Sequence, residues 1–148
     1  MAHAQQQILD AVQALLIAGA TAAGNRVFVD LVDPLQPSQL PALLIQEDDG
    51  ETSETVYLDG GERRELSVLI SCVVTADTGA ASAARQLGLV VEKLVASSTT
   101  LAGLARGGLR ITRSSPVTSG DGDRLLAARE QGWRFAYFVK PSAPDVFI

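Results

Sequence analysis

At 148 residues the chain has the size of one domain, and a chain of that length hides about 70% of its unfolded surface when it folds. An apolar share of 47% with 20% charged residues excludes disorder throughout, and the single Cys72 excludes a disulfide-stapled fold and requires no oxidising compartment. The net charge of −5 opposes nucleic-acid binding by counterion release.

The first apolar run, Ala11 to Gly24, contains an Ala20-Thr21-Ala22 that mimics a signal-peptidase site. The residues before it hold Asp10 and no Lys or Arg where a basic segment belongs, so the run is read as a helix. Ile8, Ala11, Val12 and Leu15 share one face at spacings of three and four, Gln5, Gln6 and Gln13 lie elsewhere, and Gly19 and Gly24 supply the stop. No stretch reaches the roughly 20 apolar residues of a membrane span. The expectation is a soluble protein, made in the cytoplasm, with no membrane partner.

Arg26 to Val32 is rich in β-branched residues and Pro41 to Gln46 is short, apolar and Pro-led; both read as strands. Glu47 to Glu62 follows, with seven of the seventeen carboxylates and no Lys or Arg. Its alternation of acids with Gly, Thr and Ser predicts a mobile acidic loop over about 47–64, in which Thr55 to Leu58 can add a short strand to a neighbour. From Glu65 a long strand sets Leu66, Val68, Ile70, Cys72 and Val74 on one face, with Leu69 and Val73 on the other. Ala80 to Ala96 returns to helical spacing, with a stripe of Ala84, Leu87, Val91, Leu94 and Val95 and with Asp77 or Thr78 as cap. Gly108 to Val117 and Ala128 to Val139 flank a polar turn and predict an antiparallel hairpin.

The order α-β-β-β-α-β-β predicts a single α+β domain over 1–148: a two-layer sandwich in which two helices cover one face of a mostly antiparallel, five-stranded sheet. Trp133, Phe135, Tyr137 and Val139 then share one side of the last strand. Ala136 and Phe138, with Leu69 and Val73, are left partly wet on the other side, and contiguous apolar exposure marks an interface.

Candidate chemistry is sparse. His3, the one histidine, falls in a terminus that the sequence predicts to be frayed, so neither a Ser-His-Asp nor a Cys-His arrangement is available. Cys72 sits among apolar residues and reads as an inert, buried thiol. Gly103 to Arg110 has three glycines and two arginines but lacks the Gly-x-x-x-x-Gly-Lys-Ser/Thr spacing of a phosphate loop, and Gly120 to Asp123 lacks the further ligands of a calcium loop. The expectation is therefore no enzyme, no catalytic residue, no metal and no cofactor.

One resemblance covers nearly the whole chain. The N-terminal helix AQQQILDAVQALL, the Pro-led strand LPALLIQED, the strand ERRELSVLISCVVTA, the Ala-rich helix AASAARQLGLVVEKLV and the closing strand GWRFAYFV together resemble the tail terminator proteins of long-tailed bacteriophages, the minor tail protein U type. The resemblance implies a structural virion protein, assembled in the bacterial host cytoplasm and located in the virion tail. It would form a hexameric ring that caps the tail tube, halts polymerisation of the tube protein and offers a surface to a head-side neck protein. Other readings are another neck or tail-completion protein of similar fold, a small non-viral binding module, or an enzyme subunit whose site forms between chains.

Charge is divided along the chain. Residues 1–84 carry twelve acids and three bases, a net of −9, and residues 85–148 carry five acids and nine bases, a net of +4. Opposite charges on two surfaces favour head-to-tail contacts and oppose a like-on-like dimer. The expected acidic interaction loop is Glu47, Asp48, Asp49, Glu51, Glu54, Asp59 and Glu62. The expected basic surface is drawn from Arg63, Arg64, Arg106, Arg110, Arg113, Arg124 and Arg129.

Overall fold

In the computed structural model the described residues are 2–55, 60–76, 78–121 and 124–148; at 55, 118–121, 124 and 125 the description is of the backbone only. Helix α1 spans Ala4–Ala18 and ends at Gly19. Its cap is His3, which is not frayed: the Nδ1 atom accepts the Gln5 N–H at 3.1 Å. The apolar stripe runs through Ala4, Ile8, Leu9, Val12 and Leu16, so Leu9 and Leu16 take places that spacing assigned to Ala11 and Leu15, which are only half-buried.

Strand β1 is limited to Val27–Val29 because Asp30 adopts a φ of 52°, a left-handed conformation that Asp tolerates and a strand does not. Strand β2, Ala42–Thr55, runs parallel to β1 with Val27 opposite Leu43. Strand β3, Glu62–Ala76, pairs antiparallel with β2, with an irregularity between Glu47 and Glu51 where Asp49 (φ 61°) and Gly50 (φ 76°) are left-handed.

The acidic loop expected over 47–64 is thus a strand arm up to Thr55 and again from Glu62. Self-repulsion argued for a loop only while the acids were considered alone; in the register Glu54 lies opposite Arg63 and Ser53 opposite Arg64. Such cross-strand neighbours favour pairing. Val56 to Leu58, part of the segment expected to add to a neighbour, and Asp59 lie outside the described residues.

Helix α2, Ala80–Ser97, starts after Gly79 in a left-handed conformation with no side-chain cap, so Thr78 does not serve as expected; Asp77 lies outside the described residues. Its inner face is Ala80, Ala84, Leu87, Gly88, Val91 and Val95. A third helix, α3 (Thr99–Leu104), was not anticipated in a stretch rich in Ser and Thr; the Ser98 hydroxyl accepts the Leu101 N–H at 3.1 Å and caps it. Strands β4 (Gly108–Asp121) and β5 (Arg124–Lys140) form the expected hairpin, closing at Asp121 opposite Arg124. Strand β6, Ala143–Phe147, pairs with the end of β5.

The result is α+β, but the sheet is mixed and six-stranded, in the order β1-β2-β3-β5-β4 with β6 on β5 beyond the start of β4. The expected five mostly antiparallel strands missed β6, whose Pro144 and Asp145 are poor strand residues. The parallel β1 was missed because its direction depends on the path of 30–41, which periodicity does not encode.

Helix α2 packs on β3 and β5. Trp133, Phe135 and Tyr137 of β5 and Leu66, Val68 and Ile70 of β3 are at most 2% exposed beneath the helices; each such side chain contributes roughly 1.5–3 kcal/mol through burial. The opposite face is drier than expected, with Leu69 and Val73 only 7% and 8% exposed. Leu31, Pro34, Leu35 and Leu40 fold back towards Val73 there, and with Leu44, Leu126 and Ala128 they line a cavity of about 430 Å³.

Candidate interaction surface

Alternation along β2 and β3 divides the expected acidic residues between two faces of the sheet. On the helix face, Glu51 and Glu62 flank Arg64, whose guanidinium lies 3.6 Å from Glu51 and 3.1 Å from Glu62. Tyr137 of β5 donates its hydroxyl to Glu51 at 2.5 Å and stacks edge-on against Phe147 of β6, ring centroids 5.6 Å apart. Burial, then the neighbouring Glu51 carboxylate, holds the Tyr137 phenol well above its ordinary range. Burial alone would lower the pKa of Arg64, but its hydrogen bond to Glu62 and the other polar partners outweigh that, and the net direction is upward.

On the outer face, Arg63 reaches Glu54 at 3.7 Å and Glu65 at 3.0 Å, and Arg134 reaches Glu65 at 3.3 Å. Burial opposes ionisation of Glu65, yet the two arginines hold its pKa below the ordinary carboxylate range. Further along, Arg113 of β4 lies across the sheet and meets Glu130 at 3.7 Å and Asp48 of the β2 irregularity at 3.3 Å. Gly132 makes this path possible: a Cβ there would stand 3.0 Å from the Arg113 Cγ.

Of the expected acidic set, Asp48, Glu51, Glu54 and Glu62 are therefore engaged within the chain, and of the basic set Arg63, Arg64 and Arg113. Arg129 turns to the helix side, its stem near Gly88 and its Nε donating to the Ser114 hydroxyl at 2.8 Å. Glu47, Asp49, Arg106 and Arg110 are exposed and have no ion pair among the described residues. The side chains of Asp59 and Arg124 lie outside the described residues. Sequence reasoning missed Glu65, Glu130, Arg134 and Tyr137 as members of these networks; the register of β3 against β5, Glu65 opposite Ala136 and Arg64 opposite Tyr137, brings them in.

A second cavity, about 360 Å³, lies between α2 and the sheet and is lined mainly by Ala22, Pro41, Val74, Ala83, Leu87 and Val90. Cys72 is buried as expected, and burial pushes its thiol up to about 12. No helix among the described residues is long and apolar enough to cross a membrane.

Two edges of the sheet are open. Strand β1 pairs with β2 only from Leu43 to Ile45, and among the described residues no strand covers that side of β2 from Gln46 onward. Among the described residues strand β4 pairs with β5 alone.

No protein-family model matches the chain, and no curated protein matches it. Among solved structures, a chain of the virion of a native gene transfer agent particle is similar in fold, with a TM-score of 0.48 and 17% identity, over 90% of this chain and 92% of that one.

Proposed function

We propose that the chain is a structural subunit of a phage-like virion tail, with no chemical step of its own. It acts as a tail terminator: copies close into a hexameric ring on the end of the tail tube, stop addition of tube protein and present a surface to the head-side neck. The observation that carries this reading is the sheet left open at both edges, one edge acidic and the other basic. A monomeric protein normally blunts or covers such edges, because each offers a row of unpaired N–H and C=O groups to another chain.

The element succession behind the resemblance supports the same reading. Helix α1, the Pro-led β2, the long β3, the Ala-rich α2 and the aromatic β5 follow one another in the order on which the resemblance rests. The ion pairs within the chain tie the acids of this arm to arginines of β3, β4 and β5, although each exposed pair contributes only about 0–1 kcal/mol.

Electron microscopy of tails assembled with and without the chain tests the proposal. Without it, tubes should lose their fixed length and heads should fail to join. Tubes of normal length with unjoined heads would favour a neck protein instead, and normal, head-bearing particles would overturn both.

A further inference from the structure

We infer that copies of this chain join by laying the open β2 edge of one against the open β4 edge of the next, so that the sheet continues from subunit to subunit. This deepens the ring reading by naming its contact, and rests on that reading for closure of the ring. Three observations converge on it.

The open stretches lie at the same level of the sheet. Glu47 pairs with Val68, Val68 with Trp133 and Trp133 with Ile111; Glu51 pairs with Leu66, Leu66 with Phe135 and Phe135 with Leu109. The uncovered part of β2 therefore stands level with the start of β4. Lower down, where β1 covers Leu43, the same path ends at Pro116 of β4. Proline has no N–H to offer there, and β4 carries an irregularity between Ile111 and Arg113, after which its pairing with β5 resumes. The uncovered stretches thus overlap from Glu47 to Thr52 of β2 and from Gly108 to Ile111 of β4.

Directions also agree. Strands β2 and β3, β3 and β5, and β5 and β4 are each antiparallel, so β2 and β4 run opposite ways. A neighbour placed by rotation about a ring axis brings its β2 antiparallel to β4, with helix-covered faces on the same side.

Charge then selects this arrangement over a two-fold dimer. Glu47 and Asp49 on the β2 edge and Arg106 and Arg110 at the β4 edge are the exposed charges there without an ion pair among the described residues. Arg110 pairs with Arg134, which pairs with Ser67, the residue opposite the β2 irregularity that contains Asp49. A two-fold contact through either edge would set like charges together, whereas the head-to-tail contact sets opposite ones together.

The test uses two full-length variants, Glu47→Lys with Asp49→Asn, and Arg106→Glu with Arg110→Glu, all at exposed positions, with folding checked by circular dichroism. Sedimentation velocity should show the wild type as an oligomer and each variant alone weakened at least about tenfold in association. An equimolar mixture should assemble again, because every junction in an alternating ring then joins opposite charges. The chain carrying all four changes should also assemble. Variants that associate like the wild type, or folded variants whose mixture stays monomeric, overturn the edge junction while an oligomeric wild type leaves the ring reading standing. A wild type that stays monomeric at its highest soluble concentration overturns the junction and the self-assembling ring together.

Discussion

Gln131 is 1% exposed in the middle of β5, with both ends of its amide used: Nε2 donates to the Gly88 carbonyl at 2.7 Å and Oε1 accepts the Trp133 indole N–H at 3.2 Å. In the sequence it is one polar residue in an alternating strand, and nothing local marks it as buried. Its acceptor becomes reachable only because residue 88 of α2 has no side chain; a Cβ there would stand 3.1 Å from the Gln131 nitrogen. Gln131→Leu leaves the buried Trp133 indole N–H without its acceptor and the Gly88 carbonyl with its helical bond alone, which should cost about 1–3 kcal/mol. The urea midpoint should fall while the m-value holds, and an unchanged midpoint would show that water satisfies both groups. Cys72, by contrast, was legible, since its place among Val68, Ile70 and Val74 fixes its face. Its thiol is raised from 9.0 to about 12 by burial. The folded pKa lies above the unfolded one, so this contribution to stability is constant below about pH 9 and is lost as pH rises towards 12, by about 1.4 kcal/mol per unit. Tyr137 acts with the same sign from its ordinary value of 10.0 upward. A Cys72→Val chain should therefore lose less stability than the wild type between pH 9 and 10, keeping only the smaller decline that Tyr137 causes there; parallel declines would assign the loss to other groups.

At the scale of elements, the acidic arm was misread and α3 and β6 were missed, whereas the places of the two main helices and the central strands were legible. The long strand from Glu65, the hairpin of β4 and β5 and the two main helices each carry their period within their own residues. The arm of β2 and β3 does not: Arg63, Arg64, Arg113 and Tyr137, which meet the acids of β2, come from the strands that follow it. Composition alone describes those acids as repelling one another, and the register places cations among them. Amide exchange should show this arm to be ordered but half open. The Arg26 carbonyl accepts the Leu43 N–H at 2.9 Å, which shows that alternate β2 residues face away from β3. Beyond Ile45 those outward amides should exchange quickly and their inward neighbours slowly, with assembly protecting both. Fast exchange at every position from 47 to 54 and from 62 to 66 would restore the mobile loop.

Across the whole molecule, sequence order left the most undetermined. The division into an acidic first part and a basic second part was plain, but which surfaces carry them depends on the strand order β1-β2-β3-β5-β4, which sets the two parts at opposite edges. That order arises from contacts far apart in the chain, and neither periodicity nor composition reports them. The central claim is that this polarity builds a closed, head-to-tail ring. Sedimentation of the wild type at 0.01 M and 1 M salt tests it most directly, because the screening length falls from about 30 Å to about 3 Å between the two. The account predicts one discrete closed species, a hexamer, at low salt that gives way towards monomer at high salt. A monomer at both salts, an open-ended series of sizes, or an assembly indifferent to salt would contradict it.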